Sequence, residues 1–475
     1  MVTRCAEALS AHAVRVLVWL LPPLVTAGLG AWRLDRAALW ADELATWGAV
    51  RLDWDRLWLL AGAVDAVITP YYAALKVLDP VDLRLPSLVA TVLTSVVIVA
   101  LGRRVGGDPV GLTAGMFYAV LPVTSRYAQE ARPYAGTVLF AALALLALLR
   151  LLDRPTRSRA AAYAAAVAVT GLCHPLSGLL MIVGHAPAGR RAWRMWPAAA
   201  LIGAVPAIGL GVAASGQTGQ VAWIGRVSLN NLYLVPDQFF ISGVTGGLLL
   251  ALAVAGIAIG MAKTETGRAR PVLALAGAGL LPPALLLAAG TVAGVWVARY
   301  VLFVLPALVT LAAVAAIRAG RLPAAASVAL IAVLGWPAQA DIRESAGHGQ
   351  ASDRIAGVIG PLHRDGDVVV FPDTHPSMPW VARDIYERYV PQPRPPDVLA
   401  VSPQRADGRL AARECADLPG CLGVPPRIWI VRPDNNPDPL HDMSPAKRTL
   451  ISAGYQLRDR WDFRQLSVIL MERRA

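Results

Sequence analysis

The sequence predicts an α-helical polytopic membrane protein that ends in a small extracytoplasmic α/β domain. Three observations carry this. The 475 residues are 56% hydrophobic and 16% charged, against about 45–50% and about 25% in soluble domains. Apolar runs of near-membrane length recur from residue 14 to residue 340. After residue 341 proline and charge rise and the runs shorten. The mean hydropathy of +0.51 also excludes a disordered chain, which is poor in apolar residues.

A helix crosses the hydrocarbon core with about 20 apolar residues. Runs near that length lie at 14–32, 86–101, 110–123, 133–152, 160–177, 178–188, 196–214, 242–261, 271–290, 297–317 and 322–340. About eleven spans are therefore expected, within about two, so up to thirteen. The stretch 63–79 reads either as a span or as a helix lying on the surface. Basic residues set the orientation. They follow every second run: Arg103 and Arg104; Arg150, Arg154, Arg157 and Arg159; Arg190, Arg191 and Arg194; Lys263, Arg268 and Arg270; Arg318 and Arg321. Cytoplasmic loops carry that excess. The N-terminus, with Arg4 and Arg15, is expected in the cytoplasm, and loops 33–85, 124–132 and 215–241 outside, with everything after 340. This describes a multi-pass protein of the cytoplasmic (inner) membrane. The first run reads as a span, because no small-residue cleavage site follows it convincingly. The net charge of +12 follows from these loops and needs no nucleic-acid partner. Three lysines against 41 arginines point to a GC-rich genome.

Two domains are expected, a membrane domain over 1–340 and an extracytoplasmic α/β domain over 341–475. In the second, 353–362 and 379–389 read as helices, and 367–371, 397–401, 427–432 and 465–472 as strands. Cys415 and Cys421 lie in this outward domain, where an oxidising compartment favours a disulfide between them. Two cysteines alone make a poor metal site. Cys5 and Cys173 read as plain residues.

The outer loops carry the polar chemistry. Trp40-Ala41-Asp42-Glu43 puts an acidic pair in an apolar, aromatic segment just beyond the first run. Carboxylates there cost desolvation and are usually kept for ions, protons or substrates, and one in the right position acts as a general base. The plain reading is a solvated pair at a helix start. Asp65 precedes Pro70-Tyr71-Tyr72 and Lys76, then Arg84-Leu85-Pro86-Ser87. Asp65 and Lys76 also read as polar residues of an interfacial helix, and Arg84 as an interfacial anchor. The densest segment is Arg126-Tyr127-Ala128-Gln129-Glu130-Ala131-Arg132-Pro133-Tyr134. Arginine offers a planar fork to phosphate oxygens, and an arginine excess on an outer loop runs against the topology bias. The plain reading is an Arg126–Glu130 surface pair. His174 ends a run and reads first as a structural hydrogen-bonding residue. Arg299-Tyr300 opens another run, where Arg299 either holds an anionic headgroup or snorkels. Loop 215–241 is rich in amides and aromatics, a weak sign of sugar contact. There is no P-loop, zinc-protease motif, nucleophile elbow or complete dinucleotide fingerprint, and the short cytoplasmic loops have no room for a nucleotide-using domain.

Taken in order, these motifs, closed by Ala298-Arg299-Tyr300-Val301-Leu302-Phe303-Val304-Leu305-Pro306, resemble the GT-C superfamily of membrane glycosyltransferases. The likeness covers roughly 14–340 and is nearest to family 39-like members, the relatives of protein O-mannosyltransferases and of the lipid A aminoarabinose transferase. An outward α/β tail is common in actinobacterial relatives. The resemblance implies a GT-C fold and transfer of a sugar from a polyprenyl-phosphate-linked donor to a lipid, glycan or protein acceptor on the outer face. Asp42 matches the catalytic base, with Glu43 its acidic neighbour. Arg84, Arg126, Arg132 and Arg299 are the donor-phosphate candidates. Asp65, Tyr71, Gln129, Glu130, Tyr134, His174 and Tyr300 are the substrate-binding candidates. The resemblance implies a single inverting displacement with no required cofactor, because arginine neutralises a monophosphate leaving group; dependence on a divalent metal stays open. Mannose and arabinofuranose are among the donors that such enzymes use. Two departures stand out. Thr69-Pro70 replaces a double proline, and Tyr134 stands where many relatives have an aspartate. A lipid-linked sugar flippase or transporter and a non-catalytic cell-envelope assembly protein are the competing readings. Paired repeats and mid-span ionisable residues would mark the transporter, and a degenerate acidic site the assembly protein.

Overall fold

A computed structural model describes residues 2–189, 192–221, 223–262, 269–375 and 378–474, with side chains from residue 15 onward except at 218, 220, 229, 231 and 269. Arg190, Arg191, Lys263 and Arg268 of the expected basic loops, and the side chains of Arg4 and Cys5, lie outside the described residues. The chain forms two compact units. One comprises Met1–Leu34, Pro80–Ser215 and Ile224–Ala340, the other Asp35–Asp79, Gly216–Trp223 and Asp341–Ala475.

The first unit is helical. Among the described residues, seven helices are long and apolar enough to span a membrane: Leu85–Gly106, Tyr134–Asp153, Trp196–Ala213, Gly243–Ala262, Arg270–Val292, Ala298–Ala319 and Arg321–Asp341. The other four expected runs also fall on helices, but shorter ones. They are the apolar part of Val2–Ala31, then Asp108–Val120, Arg157–Cys173 and Pro175–Gly189. Proline sits in the first turn of Leu85–Gly106, Asp108–Val120 and Leu305–Ala319, where its missing N–H costs nothing. Tyr134–Asp153 and Leu305–Ala319 are the buried centre, through Leu145, Leu148, Leu308 and Leu311. Arg321–Asp341 instead exposes Leu322, Leu330, Val333 and Trp336, as a helix facing lipid does. Arg103 and Arg104 lie in the last turn of Leu85–Gly106. Arg103 Nε donates to Asp108 Oδ1 at 2.5 Å, and Arg104 pairs with Asp153.

The second unit is α/β. Its main sheet has the order β1-β4-β6-β5, from β1 (Val368–Val370), β4 (Arg427–Arg432), β5 (Tyr455–Phe463) and β6 (Leu466–Arg473). β1 and β4 are parallel, with Val369 opposite Trp429. β6 runs antiparallel to both β4 and β5. A separate ladder pairs β2 (Ala400–Ser402) with β3 (Arg413–Glu414). Side-chain alternation sends Val369, Phe371, Trp429, Val431, Val468 and Leu470 to one face. Val368, Val370, Ile428, Ile430, Ile469 and Met471 point to the other. Helices Arg354–Leu362 and Val381–Tyr389 contribute Ile355, Ile359 and Ile385 to the first face, and Pro445–Gly454 covers the second through Ile451.

The first face also packs on Leu44, Ala49, Leu57, Leu60 and Tyr72. The segment 35–79 is thus built into the same body as the C-terminal strands, as three short α-helices, Ala41–Val50, Trp54–Leu60 and Thr69–Leu78, with a π-helical turn at Ala61–Asp65. The ambiguous stretch 63–79 ends in a ten-residue helix, too short to cross a bilayer. Cys415 and Cys421 form a disulfide.

Candidate functional site

Each unit carries one part of the expected site. In the first, helix Pro122–Ala128 gives way at Gln129 to a turn, and helix Tyr134–Asp153 follows. The turn is held from both sides. Gln129 Nε2 donates to the carbonyls of Gly30 and Trp32, both at 2.9 Å, so this side chain ties the turn to the end of the first helix. Ser87 Oγ donates to the Glu130 carbonyl at 2.6 Å. The Glu130 carboxylate is buried and accepts from Arg126 Nη1. The Arg126–Glu130 pair is therefore real, but it is a buried contact and not the solvated surface pair of the plain reading.

Arg299 reaches the same place from the start of the Ala298–Ala319 segment. Its Nε donates to Tyr134 Oη at 2.9 Å, and its guanidinium carbon lies 6.0 Å from the Tyr300 ring centre. Tyr134 meets Tyr127 edge-on at 5.8 Å and His174 at 5.9 Å, and His174 packs on Tyr300 at 4.6 Å. Arg132 and Arg299 both act electrostatically on His174. His174 is itself held by Ser177, whose Oγ lies 2.8 Å from His174 Nδ1 and 2.5 Å from the Tyr300 carbonyl oxygen. Arg126, Glu130, Arg132, Tyr134, His174, Arg299 and Tyr300 are thus one cluster of cations, one carboxylate and aromatic rings. Arg84, buried, precedes helix Leu85–Gly106 and donates from Nη1 to the Leu34 carbonyl at 2.9 Å. Ser87, three residues on, is the residue that bonds the Glu130 carbonyl.

In the second unit, Asp42 and Glu43 occupy the first turn of helix Ala41–Val50. Carboxylates are favoured there by the helix macrodipole. No side chain caps that helix at Trp40. Glu43 is fully buried, and its Oε2 lies 3.2 Å from His348 Nδ1, with both side chains removed from solvent. Asp42 is half-buried. Asp65 Oδ2 accepts from Tyr72 Oη at 3.0 Å, and the Asp65 carbonyl accepts from Thr69 Oγ1 at 2.8 Å. Asp65 therefore serves the turn into helix Thr69–Leu78. Tyr71 is half-buried on that helix. Lys76 Nζ donates to the Leu52 carbonyl at 2.5 Å, consistent with its plain structural reading. Gln217 bonds the Ala61 carbonyl and the Ala66 N–H, each at 3.0 Å.

The sequence reading did not single out Ser87, Ser177 or His348. A serine beside an arginine motif carries no signal of its own, and His348 gains its meaning only from a partner 305 residues away.

Among the described residues one group has donor atoms close enough for a metal ion. His375, Asp434 and Asp442 bring theirs within 4.8 Å of one another. The protein already balances this group. Arg432 Nη2 donates to both Asp434 oxygens at 2.8 Å, and the Met378 N–H donates to His375 Nδ1 at 3.1 Å. An Nδ1 that accepts leaves the proton on Nε2, which does not favour metal binding through that nitrogen.

The seven long apolar helices among the described residues suit a multi-pass membrane protein. Residues 71–210 match the family profile described as dolichyl-phosphate-mannose-protein mannosyltransferase. Two solved structures share the fold over nearly their whole length. ArnT from Cupriavidus metallidurans bound to undecaprenyl phosphate is 15% identical, with 95% of this chain and 97% of that one covered and a TM-score of 0.57. The apo state of the same protein is 14% identical, with 98% of each chain covered and a TM-score of 0.55. No curated protein matches the sequence significantly. The chain thus shares the fold of these two structures, and one stretch of its membrane part, 71–210, is similar to that family profile.

Proposed function

We propose that this protein transfers a sugar from a polyprenyl-phosphate-linked donor to an acceptor on the outer face of the cytoplasmic membrane, in one inverting displacement. The observation that supports this best is the gathering of Arg126, Arg132 and Arg299 around Tyr127, Tyr134 and His174. Arginine in a membrane unit is costly and is kept for a charged partner or pathway. Three guanidinium groups gathered with a single carboxylate, Glu130, are chemically suited to an anionic group such as a lipid phosphate. Bidentate guanidinium contacts fix such a group and stabilise the charge that develops as it leaves.

In this reading the anomeric carbon loses the lipid phosphate to the arginine cluster, with Arg84 supporting its edge. Asp42 takes the proton from the acceptor hydroxyl as that oxygen attacks the opposite face of the sugar. Attack opposite the leaving group inverts the anomeric centre. Tyr134, Tyr300 and His174 supply flat surfaces for the sugar, while Gln129, Glu130 and Asp65 hold the loops that present the reacting groups. Mannose and arabinofuranose donors are the first to test. The experiment is transfer in nanodiscs from each polyprenyl-phosphate sugar into envelope lipid extract, with wild type and Asp42→Asn side by side. Transfer by wild type alone supports the proposal. Donor binding without transfer in any extract turns the reading towards a flippase or an assembly protein.

A further inference from the structure

We infer that His348 is a positioning residue for the proposed base Asp42, and that the C-terminal part of the second unit acts in catalysis through it. The inference rests on the reading of Asp42 as base, and it gives the tail a role that neither the fold nor the family profile assigns.

The argument starts with helix Ala41–Val50. Neighbouring residues on a helix point about 100° apart, so whatever fixes Glu43 also fixes the direction of Asp42. Glu43 is fixed by His348, through a 3.2 Å contact between two fully buried side chains. Once the helix holds a buried carboxylate bonded to His348, its rotation about its own axis is set. Two more contacts brace the strand of chain that enters it. Ala38 N donates to the Ser345 carbonyl at 2.8 Å, and Leu39 N donates to Tyr389 Oη at 2.8 Å. All three partners come from the C-terminal segment, two of them from the turn 345–348.

That turn is shaped to deliver the imidazole. Gly349 has φ +98, a conformation that side-chain-bearing residues rarely adopt. At Gly347 a Cβ would lie 2.4 Å from the Asp341 carbonyl oxygen. The Gly347 N–H closes on the Glu344 carbonyl at 2.9 Å, and the Gly349 N–H on the Ala346 carbonyl at 2.9 Å. His348 thus sits between two positions that favour glycine, and its Nδ1 lies 3.2 Å from Glu43 Oε2.

Two readouts test the inference, one of which does not depend on turnover. The first is amide hydrogen exchange in the full chain in nanodiscs. In His348→Ala, exchange over 38–44 should accelerate while β4 and β6 keep their protection. The second is transfer kinetics. His348→Ala should lower kcat by roughly 10- to 100-fold, the cost of misplacing a reacting group by about an ångström, with KM for the lipid-linked donor nearly unchanged. His348→Gln, which keeps a donor of similar reach, should recover much of kcat. Adding Glu43→Gln to His348→Ala should cost little more than either alone, because both break one contact. Unchanged exchange over 38–44 in His348→Ala overturns the inference. So does a loss of protection throughout the tail, which makes the residue merely structural, and so does wild-type kcat in a variant with accelerated exchange. Absence of transfer in the wild type counts against the proposed reaction, and the exchange result then decides whether the clamp exists.

Discussion

Asp42 and Glu43 are adjacent in sequence and opposite in environment. Glu43 is fully buried against His348, while Asp42 keeps partial access to solvent. In the proposed mechanism one carboxylate orients the helix, and the other takes the proton. The arginines divide in a similar way. Arg84 supports the Leu34 carbonyl and Arg126 faces Glu130, whereas Arg299 reaches into the aromatic cluster through Tyr134. Arg299→Gln should therefore weaken binding of the lipid-linked donor most. Loss of one charge-assisted contact costs about 2 kcal/mol, or roughly 30-fold in affinity. Arg299→Lys, which keeps charge but loses the planar fork, should recover only part of it. A donor-binding titration measures this, and equal affinity in Arg299→Gln and wild type would remove the residue from the phosphate site. At this scale the sequence reveals residue types and their order. Asp42, Arg126, Arg132, Tyr134 and Arg299 were legible because local motifs carry them. His348 and Ser177 were not, because each has a partner that only folding brings near. Gln129 and Asp65 looked like substrate ligands from their loops, yet their side chains hold backbone and Tyr72 in place.

Elements with strong patterns were the legible ones. Every apolar run expected from hydropathy falls on a helix, since a long apolar stretch has few other ways to satisfy its backbone in lipid. The buried strands β1, β4 and β6 showed as short apolar runs. Strand β5 gave no such signal. Its sequence, Tyr455 to Phe463, carries Arg458, Asp459, Arg460 and Asp462 and lies at the sheet edge, largely exposed, where charge deters edge pairing. Packing between membrane helices tests another feature of the unit. A Cβ at Gly256 would lie 2.0 Å from the Leu311 carbonyl oxygen, so helices Gly243–Ala262 and Leu305–Ala319 meet backbone to side-chain-free backbone, as small residues allow in membranes. Gly256→Val should force them apart and cost about 1–3 kcal/mol. The melting temperature in detergent measures this, and an unchanged value would show that the contact is looser than it looks.

At the scale of the molecule, the sequence divided the chain at residue 340, whereas the fold groups 35–79 and 216–223 with the C-terminal segment. Composition could not show this, because those segments lie between apolar runs and take their place from the core they share with the tail, through Leu44, Leu57 and Tyr72. The body that carries Asp42 thus depends on the stability of the α/β part, and that part depends on pH. Burial works against ionisation of Asp434, but hydrogen bonds from Arg432 and the Asn436 N–H outweigh it and hold this carboxyl below its ordinary value. Asp462 is lowered in the same way, with Ser467 and Arg460 overcoming its burial. A depressed folded pKa adds stability above the unfolded value, near pH 4, and that stability is lost as pH falls through the folded value. The melting temperature should drop below about pH 4, and Asp434→Asn should lower it at pH 7 while flattening the acid slope. A slope identical to wild type would show that other groups govern acid stability.

The central claim is that one half-buried carboxylate, Asp42, performs base catalysis and that the arginine cluster binds the donor phosphate. The most direct test measures donor binding and sugar transfer together for wild type and Asp42→Asn in nanodiscs. The account predicts that Asp42→Asn binds the polyprenyl-phosphate sugar as wild type does but loses transfer by roughly 10²–10⁴-fold, the range for a general base. Transfer at the wild-type rate by Asp42→Asn would contradict it.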